Sequence, residues 1–270
     1  MSEKTATPGA GSQPKMGTIV VQHGTREIQF RCFDNPVGKG IVKEIMAGEL
    51  YRWPADLPNP SVIVDVGANV GAAALWFSLN FPGAKIHCFE PSPLCHLLLE
   101  HNLRSVPTAA IEGYGLYDRD ITLPLFRGRD DPSTSSLGQS AANTQQLDQV
   151  SLRNATAALH DLAIDRIDLL KLDTCGSEVP ILEAMVHFVP EITVVFANYY
   201  SEGDRRRIEV IMAQHHIPVA GRILGPHRGQ LTYARRASYA DASKRDAAAV
   251  RMPQRRGEAG GERQKAPAAT

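Results

Sequence analysis

The sequence carries no excess of charge of either sign. Its 29 lysines and arginines balance 29 aspartates and glutamates, so the formal net charge is zero. A neutral chain has no long-range attraction to nucleic acid or to an anionic membrane surface. We therefore expect neither of these among its partners.

Cysteines are few, and no long apolar run is present. The four cysteines are Cys32, Cys88, Cys95 and Cys175, and their spacing matches no metal site, so we predict no bound metal. They are typical of free thiols in a reducing compartment. The sequence shows neither a signal peptide nor an apolar run long enough to cross a bilayer, which predicts a cytoplasmic protein without a membrane span.

The most informative stretch runs from Val62 to Gly71 and has the sequence VIVDVGANVG, followed by the apolar segment AAALWF. This pattern predicts a buried strand, a tight turn and the start of a helix. Gly67 allows a sharp turn, and Gly71 allows close approach to the helix start. Asp65 can accept hydrogen bonds from a ligand, and the free N–H groups of the helix attract polar ligand groups.

A second acid lies at the end of the next predicted strand. The segment from Ala84 to Pro91 is AKIHCFEP, which places Glu90 after an apolar run. A nucleotide-binding βαβ unit has its ribose-binding carboxylate about 20 residues beyond the glycine turn, close to this position. Together, the turn and Glu90 indicate a nucleotide-containing ligand.

Strands and helices alternate through most of the 270 residues, which predicts an α/β fold with a doubly wound, mostly parallel sheet. We expect a β-hairpin and helix extension over residues 17–60 and the main domain over 61–235. Disordered segments are expected at 1–16 and 236–270. In the second half of the main domain, further strands are predicted at 109–116, 121–126, 167–173, 192–197, 217–220 and 230–234. Further helices are predicted at 152–162, 178–188 and 205–214, and a loop over 128–146.

Three segments together resemble the FkbM-type methyltransferases. They are VDVGANVG at 64–71, FEPSP at 89–93 and DLLKLD at 168–173. The first two are shared by many class I methyltransferases, whereas the third is more particular to this family. The resemblance implies the Rossmann-like class I methyltransferase fold and S-adenosyl-L-methionine as cofactor.

The resemblance also implies the roles of individual residues. The turn from Asp65 to Gly71 is expected to hold the methionine portion of the cofactor, with Glu90 on the ribose hydroxyls. The full set of expected cofactor-binding residues is Asp65, Gly67, Ala68, Asn69, Gly71, Glu90, Pro91, Ser92 and Asp118. Within this set, Pro91 and Ser92 are expected to flank the adenosine and Asp118 to contact the adenine.

The expected reaction is O-methylation of a hydroxyl group on a small molecule, sugar or glycan. An alcohol must lose a proton when it is methylated, and a nearby carboxylate or histidine can accept it. The resemblance places Asp173 beside the reacting methyl group, so Asp173 is the first candidate for the catalytic base. His215 or His216 is the second candidate, and Tyr199 and Tyr200 are candidates to stack on the acceptor.

Two departures from the family pattern leave an alternative open. Cys175 stands where an acid is expected after the fourth core strand, and Asn198 stands where the fifth core strand often ends in an acid, although Gly176 and Glu178 fit the pattern. A protein that binds the cofactor with reduced or no turnover is therefore the alternative. A nicotinamide dehydrogenase is disfavoured because the turn lacks the three-glycine fingerprint. The sequence leaves the oligomeric state open.

Overall fold

The computed structural model describes residues 14–128, 135–137 and 143–239. The expected disordered segments lie mostly outside this range, as residues 1–13 and 240–270. Inside it, the first strand already begins at Met16, and residues 236–239 form a helical turn whose Tyr239 packs against the core. The folded part therefore extends slightly further at both ends than the boundaries at 16 and 236.

The strands and helices follow the predicted alternation. The strands are β1 (Met16–His23), β2 (Arg26–Phe33), β3 (Val62–Val66), β4 (Lys85–Phe89), β5 (Ala109–Glu112), β6 (Gly115–Tyr117), β7 (Ile121–Gly128), β8 (Ser135–Ser136), β9 (Asn143–Asn154), β10 (Leu169–Leu172), β11 (Val194–Tyr199), β12 (His216–Gly225) and β13 (Arg228–Arg235). The helices are α1 (Pro36–Met46), α2 (Ala72–Asn80), α3 (Pro93–Leu103), α4 (Ala155–Asp161), α5 (Glu178–Ala184) and α6 (Glu202–Met212), with a 3₁₀ turn at Val189–Glu191.

The main sheet has seven strands in the order β12-β13-β11-β10-β3-β4-β5. Strand β13 runs antiparallel to both β11 and β12, and the other six strands of this sheet all run in the same direction. From β3 the chain proceeds outward through β4 and β5, and then returns to build the other half from β10, so the strand order reverses between β3 and β10. Ligands bind at such a switch point, beyond the carboxyl ends of the strands.

Helices cover both faces of this sheet, as the prediction of a doubly wound fold requires. Helices α1, α2 and α3 pack into one apolar cluster, and α4, α5 and α6 pack into a second. Successive residues of β3 alternate between the two, with Ile63 in the first cluster and Val64 in the second. This alternation is the period of two expected of a strand that is buried on both faces.

The hairpin β1–β2 and helix α1 form the predicted N-terminal extension. The helix begins at Pro36, where Asn35 caps it by accepting a hydrogen bond from the Gly38 N–H at 2.7 Å. Helix α3 is capped in the same way, since the Ser92 hydroxyl accepts a hydrogen bond from the Cys95 N–H and Pro93 is the first residue of the helix.

The segment between β6 and β10 differs from the prediction. Within the range 128–146 that was expected to be a loop, β8 covers Ser135–Ser136 and β9 begins at Asn143. Residues 129–134 and 138–142 lie outside the described residues. The helix expected from Leu152 begins only at Ala155, because β9 runs through Leu152 and pairs with both β7 and β6. The first half of β9 is polar without alternation, so pairing with a distant strand decided its structure.

Candidate functional site

A cavity of about 190 Å³ lies at the carboxyl ends of β3, β4 and β10. The glycine turn and the residues after β4 contribute one side of it, including Gly67, Ala68, Asn69, Glu90 and Pro91. The N-terminal extension contributes an apolar wall that includes Phe33, Ile41, Val42, Ile45 and Tyr51. Residues near the ends of β10 and β11 contribute Lys171, Asp173, Thr174, Cys175 and Tyr200, and the β7–β8 region contributes Leu125, Ser136 and Leu137. The cavity therefore occupies the switch point of the sheet.

The glycine turn takes its path because two of its residues have no side chain. Gly67 has φ +76°, and a Cβ there would lie 2.1 Å from the Asp173 carbonyl oxygen. Gly71 has φ +88°, and a Cβ there would lie 2.8 Å from a methyl carbon of Leu99. Both positions combine a left-handed backbone with a close approach, which only glycine accepts without strain. The turn thus packs tightly against β10 and α3, and Gly67, Ala68 and Asn69 line the cavity.

Glu90 is a buried carboxylate held by two backbone groups. One oxygen accepts the Asn69 N–H at 2.8 Å, and the other accepts the Ser92 N–H at 2.9 Å. Burial raises the pKa of Glu90 to about 7, although these two hydrogen bonds act to lower it. Because each carboxylate oxygen has a further lone pair, Glu90 can still accept two hydroxyl donors from the cavity.

Asp65 and Lys171 form a buried ion pair between β3 and β10. The two residues face each other in the parallel register, and the Lys171 ammonium lies 2.8 Å from Oδ1 of Asp65. It also donates to the Gly67 carbonyl oxygen at 2.6 Å. Burial alone would lower the pKa of Lys171, but the Asp65 carboxylate raises it, so the side chain stays charged. Asp65 is fully buried and does not line the cavity, whereas Lys171 does.

Asp173 follows β10 and lies between two tyrosines. The Tyr200 hydroxyl donates to Oδ1 at 2.6 Å, and the Tyr51 hydroxyl donates to Oδ2 at 3.4 Å. The ring of Tyr51 packs edge-on against Phe196 and beside Phe77 in the core. Asp173 is therefore fixed at the cavity by one residue from the extension and one from the end of β11.

The turn after Asp173 is fixed by Glu178. Its buried carboxylate accepts the Thr174 N–H at 2.7 Å and the Gly176 N–H at 2.9 Å, and burial raises its pKa to about 7. Cys175 has φ +58° and lies in the cavity, where burial raises the pKa of its thiol. Thiolate is the reactive form of cysteine, so the raised pKa disfavours a nucleophilic role for Cys175. Glu178 is a structural residue that shapes the turn.

A sequence model described as the Methyltransferase FkbM domain matches residues 65–218, which is more than half of the chain. The chain belongs to the FkbM methyltransferase family. This result confirms the family predicted from the three motifs, and with the observed sheet it confirms the class I methyltransferase fold. S-adenosylmethionine, the cofactor expected for that family, is therefore the cofactor of this protein.

Two relatives illustrate the similarity. Methyltransferase sdnD of Sordaria araneosa is 30% identical over 207 residues, which cover 64% of this chain and 79% of sdnD. Methyltransferase 1 of Beauveria bassiana is 27% identical over 181 residues, covering 58% of this chain and 72% of that protein. Among solved structures, the fibrillarin pre-rRNA processing protein of Methanococcus jannaschii superimposes with a TM-score of 0.48 at 12% identity, over 81% of this chain and 82% of that one.

Several predicted residues lie away from the cavity of this FkbM methyltransferase. Asp118 is exposed beside Arg119 at 3.5 Å and does not line the cavity. His216 is buried at the start of β12, where its Nε2 lies 2.8 Å from the Ile192 carbonyl oxygen, and His215 is exposed next to it. Both histidines lie at the amino edge of the sheet, opposite the cavity, so neither can serve as the base.

The two departures from the family pattern have different consequences in the structure. Asn198 accepts a hydrogen bond from Gln230 at 3.0 Å, within the β11–β13 pair, and does not line the cavity. Cys175 does line it. Of the two predicted stacking tyrosines, only Tyr200 reaches the cavity. The substitution at 198 therefore leaves the described cavity lining unchanged, and the one at 175 alters it.

Lys171 and Tyr51 of the methyltransferase were missed by sequence reasoning. Lys171 carried a usable signal, because it is the one charged residue in the otherwise apolar strand LLKL and such strands are buried on both faces. Tyr51 carried no such signal in the sequence, because its position depends on how the N-terminal extension packs on the main sheet.

Within the part of the chain that the structure describes, no group of three or more His, Cys, Asp or Glu side chains could hold a metal ion. Across the same residues, no helix combines the length and apolar character needed to cross a membrane.

Proposed function

We propose that this methyltransferase transfers a methyl group to a hydroxyl on a small molecule, sugar or glycan, with Asp173 as the general base. The observation that carries the proposal is the carboxylate of Asp173 at the cavity, held at both oxygens by tyrosine hydroxyls. A carboxylate in hydrogen-bond reach of an alcohol can accept its proton as the new bond forms.

The residues around the cavity fit the cofactor. The free lone pairs of Glu90 suit the two ribose hydroxyls, and Pro91 lies beside them on the same wall. Gly67, Ala68 and Asn69 of the glycine turn line the same cavity, next to Glu90. The carboxylates of Glu90 and Asp173 both line the cavity, and their negative charge favours a cationic sulfonium.

When bound, S-adenosylmethionine supplies an activated methyl group on its sulfonium. The protein then has to align the acceptor oxygen with that methyl and receive the acceptor proton. In our proposal Tyr51 and Tyr200 hold the Asp173 carboxylate in one orientation, and Asp173 takes the proton. The apolar wall of the extension excludes water from the reacting groups.

The test has two parts. Calorimetric titration of the wild type with S-adenosylmethionine and S-adenosylhomocysteine should show binding, and Asp173→Asn should retain that affinity within a few-fold. Release of S-adenosylhomocysteine in the presence of a panel of alcohols, sugars and phenols should then be at least about a hundredfold slower in Asp173→Asn. Equal turnover by the variant with an accepted alcohol would overturn the assignment of the base.

The alternative is a protein that binds the cofactor but does not turn over. Cys175 supports it, because this residue replaces an expected acid and lies in the cavity with a left-handed backbone. The variant Cys175→Glu separates the two proposals. If the wild type binds the donor without methylating any acceptor of the panel and Cys175→Glu gains turnover, the alternative is supported.

A further inference from the structure

Lys171 has an N–H donor that no oxygen of the described residues accepts. An ammonium group has three N–H donors. One is donated to the Gly67 carbonyl oxygen at 2.6 Å, and on another side the ammonium forms an ion pair with Oδ1 of Asp65 at 2.8 Å. The ring of Tyr51 lies on another side, with its centroid 6.0 Å from the ammonium. Lys171 is 3% exposed, yet it lines the cavity.

Lys171 is also the only lysine, arginine or histidine among the described residues that line the cavity. The methionyl end of the cofactor carries a carboxylate, which must exchange its hydration for protein donors when it is buried. An ammonium group is the strongest hydrogen-bond donor that the described lining offers to this carboxylate, because a charge-assisted hydrogen bond is stronger than a neutral one. Among the other ionised side chains of the described lining, Glu90 and Asp173 are both acidic and would repel it.

The sheet places Lys171 at a suitable distance from the ribose site. Glu90 follows β4 and Lys171 lies on β10, with β3 between them. Two strand spacings separate the side chains by roughly 10 Å across the sheet. A ligand whose ribose contacts Glu90 and whose chain crosses the end of β3 therefore directs its far end towards Lys171.

We propose that Lys171 binds the carboxylate of the methionyl portion of the cofactor, and that Asp65 is a positioning residue that acts through Lys171. Asp65 is fully buried and its carboxylate meets the ammonium, so it fixes where the third N–H points. This assignment replaces the direct contact between Asp65 and the cofactor that the motif implied. It rests on the proposed cofactor site and deepens it.

The experiment compares two nucleosides that differ in the amino-acid portion. S-adenosylhomocysteine carries the carboxylate, whereas 5′-methylthioadenosine keeps the adenosine and the sulfur but lacks the amino-acid end. In calorimetric titrations Lys171→Met should weaken S-adenosylhomocysteine binding by about tenfold or more, as expected for the loss of a charged hydrogen bond. Binding of 5′-methylthioadenosine should change by less than about threefold.

A purely structural role for Lys171 predicts a different result. If Lys171 only holds the turn at Gly67, its removal should weaken the binding of both nucleosides by the same factor. That outcome would overturn the proposal. Lys85→Met serves as the matched control, since Lys85 is exposed at the far end of β4 and should leave both affinities unchanged.

Lys171→Met leaves a buried carboxylate without its partner and can prevent folding. The double variant Asp65→Asn/Lys171→Met removes both charges and keeps the side-chain shapes, so it supplies the same comparison in a folded protein. We again expect a selective loss of S-adenosylhomocysteine binding. An equal loss of affinity for both nucleosides counts against the proposal. If folded wild-type protein binds neither nucleoside, the cofactor site itself is wrong, which is a separate result.

Discussion

Gly67, in the glycine turn of the proposed cofactor site, packs against the backbone of Asp173, the proposed general base. An alanine there would need a left-handed backbone and would place Cβ against the Asp173 carbonyl oxygen. We expect Gly67→Ala to lower the free energy of unfolding by about 3 kcal/mol and to abolish S-adenosylhomocysteine binding. Urea unfolding and calorimetry measure the two effects.

Gly83→Ala is the control for this change. A Cβ at Gly83 would meet no other atom within 4 Å, so its replacement should leave stability and binding close to wild type. Normal cofactor affinity in Gly67→Ala would show that the turn does not need the observed backbone.

Glu90 titrates in the neutral range, with a pKa of about 7 because it is buried. Only the ionised carboxylate can accept both ribose hydroxyls while keeping its two backbone bonds. The affinity for S-adenosylhomocysteine should therefore rise about tenfold between pH 6 and pH 8. Titrations at several pH values measure this slope.

Glu178 provides the matched control, because its pKa is also about 7 but its carboxylate bonds only to the turn that follows Asp173. We expect Glu178→Gln to retain the pH dependence of affinity and Glu90→Gln to lose it. An unchanged slope in Glu90→Gln would rule out Glu90 as its source.

At the scale of elements, Asn102 on α3 links the N-terminal extension to the glycine turn by hydrogen bonds. Its amide donates to the carbonyls of Arg31 and Val70 at 2.8 and 2.7 Å and accepts the Arg31 N–H at 2.9 Å. Asn102→Ala removes all three bonds. We expect a loss of about 1–3 kcal/mol in stability and faster hydrogen exchange in β2.

Glu100→Ala changes a neighbouring exposed residue of the same helix and should leave β2 unaffected. Unchanged exchange in β2 of Asn102→Ala would show that packing alone holds the extension. The extension matters because it contributes Tyr51 and the apolar wall of the cavity.

The parallel strands β3, β4, β5, β10 and β11 of the main sheet were predictable because each is short and mostly apolar. By contrast, β9 contains the polar run NTQQLDQ, which has neither an apolar alternation nor a turn signal. Its partner β7 is antiparallel to it, and β6 pairs with its end in parallel. Because such pairing depends on distant segments, local sequence could not reveal it.

At the scale of the whole molecule, the two buried glutamates make stability depend on pH. Both have pKa values of about 7 in the folded protein, against 4.5 for an ordinary glutamate. Between these values the folded state binds more protons than the unfolded state, so stability should fall as the pH rises from 5 to 8. The fall should be at most about 3 kcal/mol for each group.

Urea unfolding of the ligand-free protein across this pH range measures the fall. The variant Glu90→Gln/Glu178→Gln should show a flatter profile, because neither side chain can then ionise. A double variant whose stability falls as steeply as that of the wild type from pH 5 to pH 8 would contradict the burial of these charges.

The sequence by itself determined the layers of the fold, and it predicted the glycine turn and Glu90 as the two ends of the proposed cofactor site. The glycine turn and Glu90 could be identified because each depends on local order: a strand, a turn that only glycine permits, and an acid at the next strand end. The helix cap at Ser92 follows the same local chemistry.

Only the tertiary structure decided which residues surround the glycine turn and Glu90. It buried Asp65 against Lys171, held Asp173 between Tyr51 and Tyr200, and left Asp118 and both histidines away from the cavity. The contacts of Asp65 with Lys171 and of Tyr51 with Asp173 join residues more than a hundred positions apart, and both histidines lie at the amino edge of the main sheet, opposite the cavity. Strand order and register set such distances, and no local pattern in the sequence records them.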